Sequence, residues 1–411
     1  MTNKTLETLF SLGDLYVSDF IRQDQDARAG RHDMTLAIDP RYGAARLTKA
    51  TPIHSMFGKY WYRSGTNATM TNELKGIVES VKSVHKVKDG DLWLDIACND
   101  GTLLKFVPKG VNKLGIDPCE DSFVEESSKV ADEIIQDYFT ASSFNRSKFS
   151  TKKASVVTCI AMFYDLDEPV PFLKDVHSVL DDDGLFVLQM SYTPLMIKQL
   201  AFDNICHEHV YYWSLSTLQK ALSEAGLKVV DCQLNDVNGG SFRIYIKKNN
   251  AKVSTFATAP YRDVCNVRIE SIINWEKSLN IDKEEIWLQF YEDICNLKHE
   301  VVDFIKAEKA KGKTICGYGA STKGNTLLQW FGLDNTLIDA IAERSPYKFG
   351  HKTIGTNIPI LSEEDVRAMK PDYMLVLPWH FISEFVDRES DYLSNGGKFI
   401  VPCPKFEIIG G

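Results

Sequence analysis

A short segment near the middle of the chain holds its densest group of side chains that could transfer a proton. It reads Asp203-Asn204-Ile205-Cys206-His207-Glu208-His209-Val210-Tyr211-Tyr212. Histidine is a base near neutral pH, and a neighbouring carboxylate can raise its basicity or hold one tautomer. On a β-strand, His207 and His209 would share one face and Glu208 would lie on the other, whereas a loop would relax this constraint. The segment therefore predicts a proton-transfer site.

The same segment allows two other interpretations. Cys206, His207, Glu208 and His209 are all possible metal ligands. However, four adjacent residues rarely converge on one ion, and the spacing is not H-E-x-x-H. Alternatively, one histidine bonds to the backbone and the other is solvated. Because the sequence shows no second cluster of ligands, we expect no metal.

Acidic residues that follow three successive apolar runs form a second candidate site. Asp95 stands at the end of the first run, before a turn of small residues that lets the backbone approach a ligand at the sheet edge. The turn is not G-x-G-x-x-G, so a mononucleoside-like cofactor is expected rather than a dinucleotide. The predicted cofactor-binding residues are Asp95, Ala97, Asn99, Gly101, Asp117, Asp137, Tyr138 and Phe139.

Each of the three acids has an expected role at this site. Asp117, at the end of the second run, can accept hydrogen bonds from both hydroxyls of a ribose. Asp137 can bind the amino group of an adenine, and the aromatic rings of Tyr138 and Phe139 can flank its ring. A single acid at a strand end is often only a helix cap or a turn former. Three acids in this order favour the cofactor.

Alternating strands and helices must position both sites. Residues 71–250 alternate short apolar runs with helical patterns, which predicts a parallel, doubly wound sheet. Residues 251–310 predict a helical connector, and a second alternating set over residues 311–411 predicts a smaller α/β domain. Residues 1–70 are polar, and we expect an irregular N-terminal segment there. The predicted fold class is therefore α/β.

Composition restricts the class of partner. The 411 residues carry a net charge of −9 and show no basic patch, so we expect neither a nucleic-acid nor a membrane partner. No signal peptide is visible, and the nine cysteines include no C-x-x-C pair. We expect a cytoplasmic protein with reduced thiols that acts on a small molecule, as a monomer or homodimer.

The motifs resemble those of one group of class I methyltransferases, the C-methyltransferases of nucleotide-linked deoxysugars. The run DIACNDGTLL, which starts at Asp95, resembles D-I-G-C-N-D-G-T-L-L, and the residues from His207 to His209 match H-E-H. The resemblance implies Rossmann-like domains and S-adenosylmethionine as methyl donor. It also implies that His209 removes the proton beside a sugar ketone, with assistance from Glu208. Ala97 stands where the group usually has glycine, which we expect to be tolerated at negative φ. Cys206 stands where a tyrosine often precedes H-E-H.

Further motifs resemble the substrate-binding segments of the same family. The run from Tyr60 to Ser64 matches Y-x-Y-R-S, which implies an active-site Tyr62, although an aromatic anchor for the N-terminal segment is the alternative. The run YGASTKGNTLL, which starts at Tyr318, resembles Y-G-A-x-x-K-G-N-T-L-L. Its Lys323 could meet a phosphate or be a solvated lysine at a helix start. The predicted substrate-binding residues are Tyr60, Arg63, Ser64, Asn238, Arg243, Tyr318, Lys323 and Asn325. His380 replaces the usual asparagine of the P-W-x-F pattern.

The N-terminal segment departs from the family. The family begins with a small zinc domain that holds four cysteines, whereas this chain has no cysteine before Cys98. The run from Leu12 to Phe20 still resembles part of that domain, so we expect a zinc-free remnant that packs on the catalytic domain.

Together the motifs predict methylation of the carbon beside the ketone of a nucleotide-linked keto-deoxysugar. The catalytic residues are predicted to be His209, Glu208, Tyr62 and His207. The enolate needs nearby hydrogen-bond donors, since imidazole alone is too weak a base. The alternatives are O- or N-methylation of another small molecule, and a binding protein that has lost catalysis.

Overall fold

The computed structural model of the chain describes residues 6–26, 30–52, 56, 61–252, 256 and 259–410. Its described strands form sheets of four, seven and six strands and one two-stranded ribbon. Among the described helices, none is both long and apolar enough to span a membrane.

The N-terminal segment consists of strands, so the expectation of an irregular segment was wrong. Met34, Leu36 and Ile38 lie at alternate positions of one strand and are buried, as one face of a strand is when it packs on a core; Ala37, on the other face, is buried too. The segment's polar residues occupy the other face, which is why composition alone misjudged it. Its strands are β1 (Glu7–Tyr16), β2 (Phe20–Arg22), β3 (Arg31–Asp39) and β4 (Ala44–Leu47).

The central part of the chain alternates strands and helices as predicted. Helix α1 begins where the side chain of Asn67 accepts hydrogen bonds from two backbone N–H groups of its first turn. The elements are α1 (Ala68–Val84), β5 (Leu92–Ile96), β6 (Asn112–Ile116), α2 (Asp121–Ser127), β7 (Glu133–Ile135), α3 (Ala141–Asn145), β8 (Ala154–Ile160), α4 (Pro169–Val179), β9 (Leu180–Ser191), α5 (Thr193–Lys198), β10 (Tyr211–Tyr212), α6 (Leu215–Glu224), β11 (Leu227–Asn235) and β12 (Ser241–Lys248).

These strands form a seven-stranded sheet with the order β11-β12-β9-β8-β5-β6-β7. Strand β12 pairs antiparallel with both neighbours, and the other described pairs are parallel. The chain adds β6 and β7 on one side of β5 and then crosses to β8 on the other side. The order therefore reverses between β5 and β8, and ligands of doubly wound sheets bind at the carboxyl edge of such a point. The predicted doubly wound sheet is confirmed.

The last part of the chain starts with two long helices where a helical connector is predicted. It continues into a second α/β unit. The elements are α7 (Ala259–Leu279), α8 (Glu284–Ala310), β13 (Ile315–Tyr318), α9 (Thr322–Phe331), β14 (Ile341–Glu343), β15 (His351–Thr353), β16 (Ile360–Ser362), α10 (Glu363–Ala368), β17 (Tyr373–Val376), α11 (Ile382–Arg388), α12 (Ser390–Ser394), β18 (Lys398–Val401) and β19 (Glu407–Ile409).

The second sheet has the order β16-β14-β13-β17-β18-β19. Its first five strands are parallel, and β19 pairs antiparallel with β18. The strand order reverses between β13 and β17, which opens a second crevice beyond the carboxyl ends of these two strands. The predicted smaller C-terminal α/β domain is confirmed.

The N-terminal strands connect the two larger units rather than packing on the catalytic domain alone. Strands β1, β3 and β4 are joined by β10, which follows the H-E-H segment. On the other side, β2 pairs with β15 of the C-terminal domain, and Phe10 stacks on Tyr291 of α8 with ring centres 4.7 Å apart. The apolar residues of β1 and β3 share one core with α8 and the C-terminal sheet. This shared burial fixes the relative position of the two domains.

Candidate active site

One cavity of about 350 Å³ lies at the carboxyl edge of the seven-stranded sheet and reaches the crevice of the C-terminal domain. Residues from both α/β domains and from the segment before α1 line it. Its lining includes Tyr62, Ser64, Asp95, Ala97, Asn99, Asp117, Tyr138, Phe139, Tyr164, Asp165, Asp203, Glu208, His209, Asn238, Lys323 and His380.

The turn after β5 forms one end of the cavity. Ala97 and Asn99 have φ angles of 58° and 51°, and Gly101 has a φ of 77°. The expectation of a negative φ at Ala97 was therefore wrong, because the tight turn needs left-handed backbone there. A Cβ on Gly101 would come within 2.8 Å of the Cα of Ser127, so only glycine lets the turn pack this closely against α2.

Asp117 holds the turn from the neighbouring strand. Its two oxygens accept hydrogen bonds from the backbone N–H groups of Asn99, at 2.7 Å, and of Cys119, at 2.8 Å. The side chain of Asn99 in turn accepts from the N–H of Ser64 and donates to the carbonyl of Tyr62. The segment before α1 is therefore fastened to this end of the cavity.

Asp95 is a buried carboxyl group that retains its proton more readily than usual. The Thr158 hydroxyl donates to its Oδ1 at 2.6 Å, and Thr158 accepts from the indole N–H of Trp93. Burial raises the pKa of Asp95 to about 7, against the opposing effect of the Thr158 hydrogen bond; the nearby Asp117 raises it further.

The third predicted acid is not in the cavity. Asp137 forms an ion pair with Arg146 and accepts a hydrogen bond from the N–H of Tyr138. Those two contacts lower its pKa. Tyr138 and Phe139 do line the cavity. Because Asp137 points towards Arg146, the structure gives it a role in the loop after β7 instead of at the cavity wall.

His209 faces the cavity with one ring nitrogen held by the backbone. Its Nδ1–H donates to the carbonyl of Asn204 at 2.8 Å. A carbonyl can only accept, so the proton lies on Nδ1 and Nε2 keeps a free electron pair. Burial, and secondly the charge of Lys323, lower the pKa of His209 to about 3. The imidazole is therefore neutral, which is the form that can accept a proton.

His207 has a different environment. The segment is a turn and not a strand, so the two histidines do not share a face. The Nε2–H of His207 donates to the carbonyl of Leu15 at 3.1 Å, and its ring contacts that of His32. Burial lowers its pKa to about 4. His207 is outside the cavity lining and anchors β1, so the prediction that it is catalytic was wrong.

Glu208 lies in the cavity wall, and the described residues show no hydrogen bond between it and His209. Its described hydrogen bond comes from the thiol of Cys206 at 3.9 Å. Burial raises the pKa of Glu208, and the charge of Lys323 opposes this effect. Assistance of His209 by Glu208 stays a prediction, since the backbone of Asn204 orients the imidazole.

Lys323 belongs to the C-terminal domain and lines the same cavity as His209. Its ammonium group donates to Oδ1 of Asn204 at 2.6 Å, across 119 positions of sequence. The same Asn204 orients His209 through its carbonyl, so one residue connects the lysine and the imidazole. Lys323 is thus neither a solvated lysine nor remote from the chemistry.

Three further titratable residues at this end of the cavity were not among the predicted site residues. The indole N–H of Trp379 donates to Oδ2 of buried Asp203, whereas Oδ1 of Asp203 has no partner. Oδ1 of Asp165 is also buried without a partner. Burial lowers the pKa of His380 to about 3, and the charge of Lys323 acts in the same direction. Asp203 lay within the titratable segment, but no spacing pattern distinguished Asp165.

Four of the predicted substrate-binding residues are used elsewhere in the fold. Arg243 pairs with Glu73, and Arg63 pairs with Glu126 and lies over the ring of Phe123. The hydroxyl of Tyr318 donates to Glu389 and accepts from Arg388, and the amide of Asn325 donates to Ser18 and to the carbonyl of Asp19. Long-range partners such as these cannot be read from a local motif.

The other predicted substrate-binding residues divide into two groups. Ser64, Asn238 and Lys323 line the cavity, and Tyr60 lies outside the described residues. Tyr62 also lines the cavity and is 41% exposed. The pKa of Tyr62 is raised, chiefly by burial and secondly by nearby Asp100. Within the described ranges, no three His, Cys, Asp or Glu side chains are placed to hold a metal ion.

Comparison with known proteins now decides the family. A methyltransferase domain matches residues 76–231, and a C-methyltransferase C-terminal domain matches residues 236–404. The C-methyltransferase NovU of Streptomyces niveus is 30% identical over 360 residues, which cover 86% of this chain and 82% of NovU. The chain belongs to the C-methyltransferase family. It is an S-adenosylmethionine-dependent methyltransferase.

Solved structures resemble only part of this C-methyltransferase. An S-adenosylmethionine-dependent methyltransferase from Clostridium acetobutylicum is 13% identical, with a TM-score of 0.32 over 43% of this chain and 90% of that one. Magnesium protoporphyrin IX methyltransferase from Synechocystis, with bound S-adenosylmethionine, is 12% identical, with a TM-score of 0.32 over 44% of this chain and 78% of that one. The family assignment rests on the sequence relatives.

The cavity of this C-methyltransferase fits a cationic methyl donor. Its described lining includes one cationic side chain, Lys323, and five carboxyl groups, which belong to Asp95, Asp117, Asp165, Asp203 and Glu208. The carboxyl groups of this lining that are ionised favour a sulfonium cation. Gly101, which was predicted to bind the cofactor, is not in the described lining; it lets the turn pack against α2, where a Cβ would meet Ser127.

Proposed function

We propose that this enzyme methylates the carbon beside the ketone of a nucleotide-linked keto-deoxysugar, with His209 as the base. The observation that carries the proposal is the fixed tautomer of His209, whose free Nε2 belongs to a ring in the cavity wall. Bound S-adenosylmethionine supplies a methyl group on a cationic sulfur.

Different residues would bind the methyl donor at one end of the cavity and remove the proton at the other. Asp95, Asp117, Tyr138 and Phe139 would hold the methyl donor at the edge of the first sheet. At the other end His209 takes the proton from carbon, and Lys323 adds a positive charge beside it. That charge favours an anionic transition state more than the neutral substrate, so it lowers the barrier.

A substrate with two parts would suit a cavity between two domains. The sugar would lie at His209, and the nucleotide would extend into the crevice beyond β13 and β17, next to Lys323 and His380. The resemblance of the sequence motifs to those of the sugar C-methyltransferases supports this assignment of substrate class.

Exchange of hydrogen with solvent tests the proposal. The protein is incubated in deuterated water with nucleotide-linked 4-keto-deoxysugars, with and without S-adenosylmethionine, and mass spectrometry follows deuterium uptake and methyl gain. We expect uptake beside the ketone and methyl gain when the donor is present. His209→Gln should slow both by about 10²-fold or more, because general bases contribute that much.

His207→Gln is the matched control, since His207 is a buried histidine of the same turn that bonds to β1. We expect it to retain exchange. Methyl gain that persists undiminished in His209→Gln would exclude His209 as the base. Methylation of oxygen or nitrogen, without exchange at carbon, would assign a different acceptor.

A further inference from the structure

Asp165 follows a residue, Tyr164, that contacts the segment carrying His209 in two ways. It ends the short 3-10 turn Phe163–Asp165, which follows β8. The ring of the preceding Tyr164 lies against the His209 imidazole, with ring centres 4.0 Å apart. The carbonyl of Tyr164 also accepts a hydrogen bond from the N–H of Val210 at 2.9 Å. These two contacts of Tyr164 hold the neighbouring Asp165 close to the segment that carries His209.

Asp165 is half-buried in the cavity wall, and one of its carboxyl oxygens is fully buried with nothing in the described protein to satisfy it. Its Oδ1 has no hydrogen-bond partner, whereas Asp95 bonds to Thr158 and Asp117 bonds to two backbone N–H groups. A buried polar atom without a partner destabilises a fold, so each one requires an explanation, and for an oxygen in a cavity wall a bound ligand supplies one.

The surroundings of Asp165 keep its proton in place. Burial, and secondly the charge of Glu208, raise its pKa well above the ordinary value. Lys323 lowers the pKa of Glu208 and of Asp203 but is not among the charges that act on Asp165. Where two carboxyl groups in one buried wall compete, the one without a cation keeps the proton.

The remaining titratable groups near Asp165 do not change this conclusion. Cys159, Cys206 and Tyr212 each have a pKa raised by burial and, further, by Asp165. All three are therefore neutral at neutral pH. Among the described groups, Glu208 is then the charge that acts on Asp165. A negative charge there favours the protonated form of Asp165.

We propose that Asp165 is a further catalytic residue, which donates a hydrogen bond from a neutral carboxyl group to the carbonyl oxygen of the substrate. This proposal rests on the proposed carbon methylation. As His209 takes the proton, the electron pair of the C–H bond forms a C=C bond and the carbonyl electrons move to oxygen. Asp165 stabilises the resulting oxyanion through its O–H group. When the carbon takes the methyl group, the carbonyl re-forms and the donor sulfur keeps the electron pair of its broken bond.

Two substitutions separate a neutral donor from a carboxylate. Asp165→Asn keeps a neutral hydrogen-bond donor of the same shape, and Asp165→Ala removes it. We expect solvent exchange beside the ketone to fall about 10²-fold or more in Asp165→Ala but by less than about tenfold in Asp165→Asn. Glu168→Gln is the control, because Glu168 is an exposed acid three positions further along the chain.

A pH profile and a melting curve exclude a merely structural role. Exchange by the native enzyme should slow as pH rises through the ionisation of Asp165, and this decrease should be absent in Asp165→Asn. The melting temperature of Asp165→Ala should equal or exceed that of the native protein, because the change removes a buried group without a partner.

The outcomes distinguish this inference from the function on which it rests. Exchange in Asp165→Ala at the native rate would exclude Asp165 as a donor while leaving the base in place. Equal losses in both variants would show that a carboxylate is required and would overturn the neutral donor. No exchange in the native protein, with a full set of keto-sugars, would refute carbon methylation and the inference together.

Discussion

Replacing Asp95 by asparagine should change how the stability of the protein depends on pH. Folding raises the pKa of this carboxyl from 3.8 to about 7, so between these values the folded protein binds more protons than the unfolded chain. The folded protein is therefore most stable, as far as Asp95 is concerned, at low pH. Its stability falls as pH rises from 3.8 to about 7, because the unfolded chain loses this proton first. Asparagine does not titrate and can still accept the Thr158 hydrogen bond through its Oδ1.

Linkage sets the size of the effect. With these two pKa values, the native protein should lose about 2.5 kcal/mol of unfolding free energy relative to Asp95→Asn between about pH 5 and about pH 8. Within that window the two stability curves should diverge steadily. Above about pH 8 their difference should become constant, since Asp95 is then ionised in both the folded and the unfolded state.

Urea unfolding followed by tryptophan fluorescence measures the difference. Trp93 adjoins Asp95 in β5 and reports on this part of the sheet. Glu125→Gln is the control for loss of one negative charge, because Glu125 is exposed on α2, and its curve should run parallel to the native one. Parallel curves for the native protein and Asp95→Asn would refute the argument that burial keeps Asp95 protonated.

Two substitutions in the turn after β5 should have opposite effects. Ala97→Gly should stabilise the protein by up to about 1 kcal/mol, because left-handed backbone costs alanine about 1–2 kcal/mol and the unfolded freedom of glycine offsets part of the gain. Gly101→Ala should destabilise it by about 2 kcal/mol or more, through strain at φ 77° and the 2.8 Å approach to Ser127, and should weaken binding of S-adenosylhomocysteine. Thermal unfolding and calorimetric titration measure both. A lower melting temperature for Ala97→Gly, or native behaviour of Gly101→Ala, would contradict this account of the turn.

The parallel, doubly wound central sheet and the placement of Asp95 and Asp117 at its edge could be predicted from the sequence. Apolar runs with an acid after each one predict parallel strands, and the carboxyl ends of adjacent parallel strands lie at one edge. Asp95 and Asp117 therefore line one cavity, whatever the distant parts of the chain do. The third acid, Asp137, departed from this rule because Arg146 lies close enough to bind it.

The N-terminal segment shows a limit of composition. Its strands contain buried apolar residues, but many of the partners that bury them lie in α8 and the C-terminal domain. The local sequence does not show which residues these apolar side chains pack against. The same reason separates the two histidines of the H-E-H motif, since His207 turns towards Leu15.

The chain's sequence by itself determined which kinds of residue are present, their order along parallel strands and the family of motifs to which they belong. Only the tertiary structure decided that His209 is the histidine in the cavity, that Lys323 meets Asn204, and that Oδ1 of Asp165 has no partner among the described residues. The physical reason is that hydrogen bonding and burial depend on atoms brought together from distant positions. Tautomer, charge and pKa at the site follow from that assembly and not from spacing along the chain.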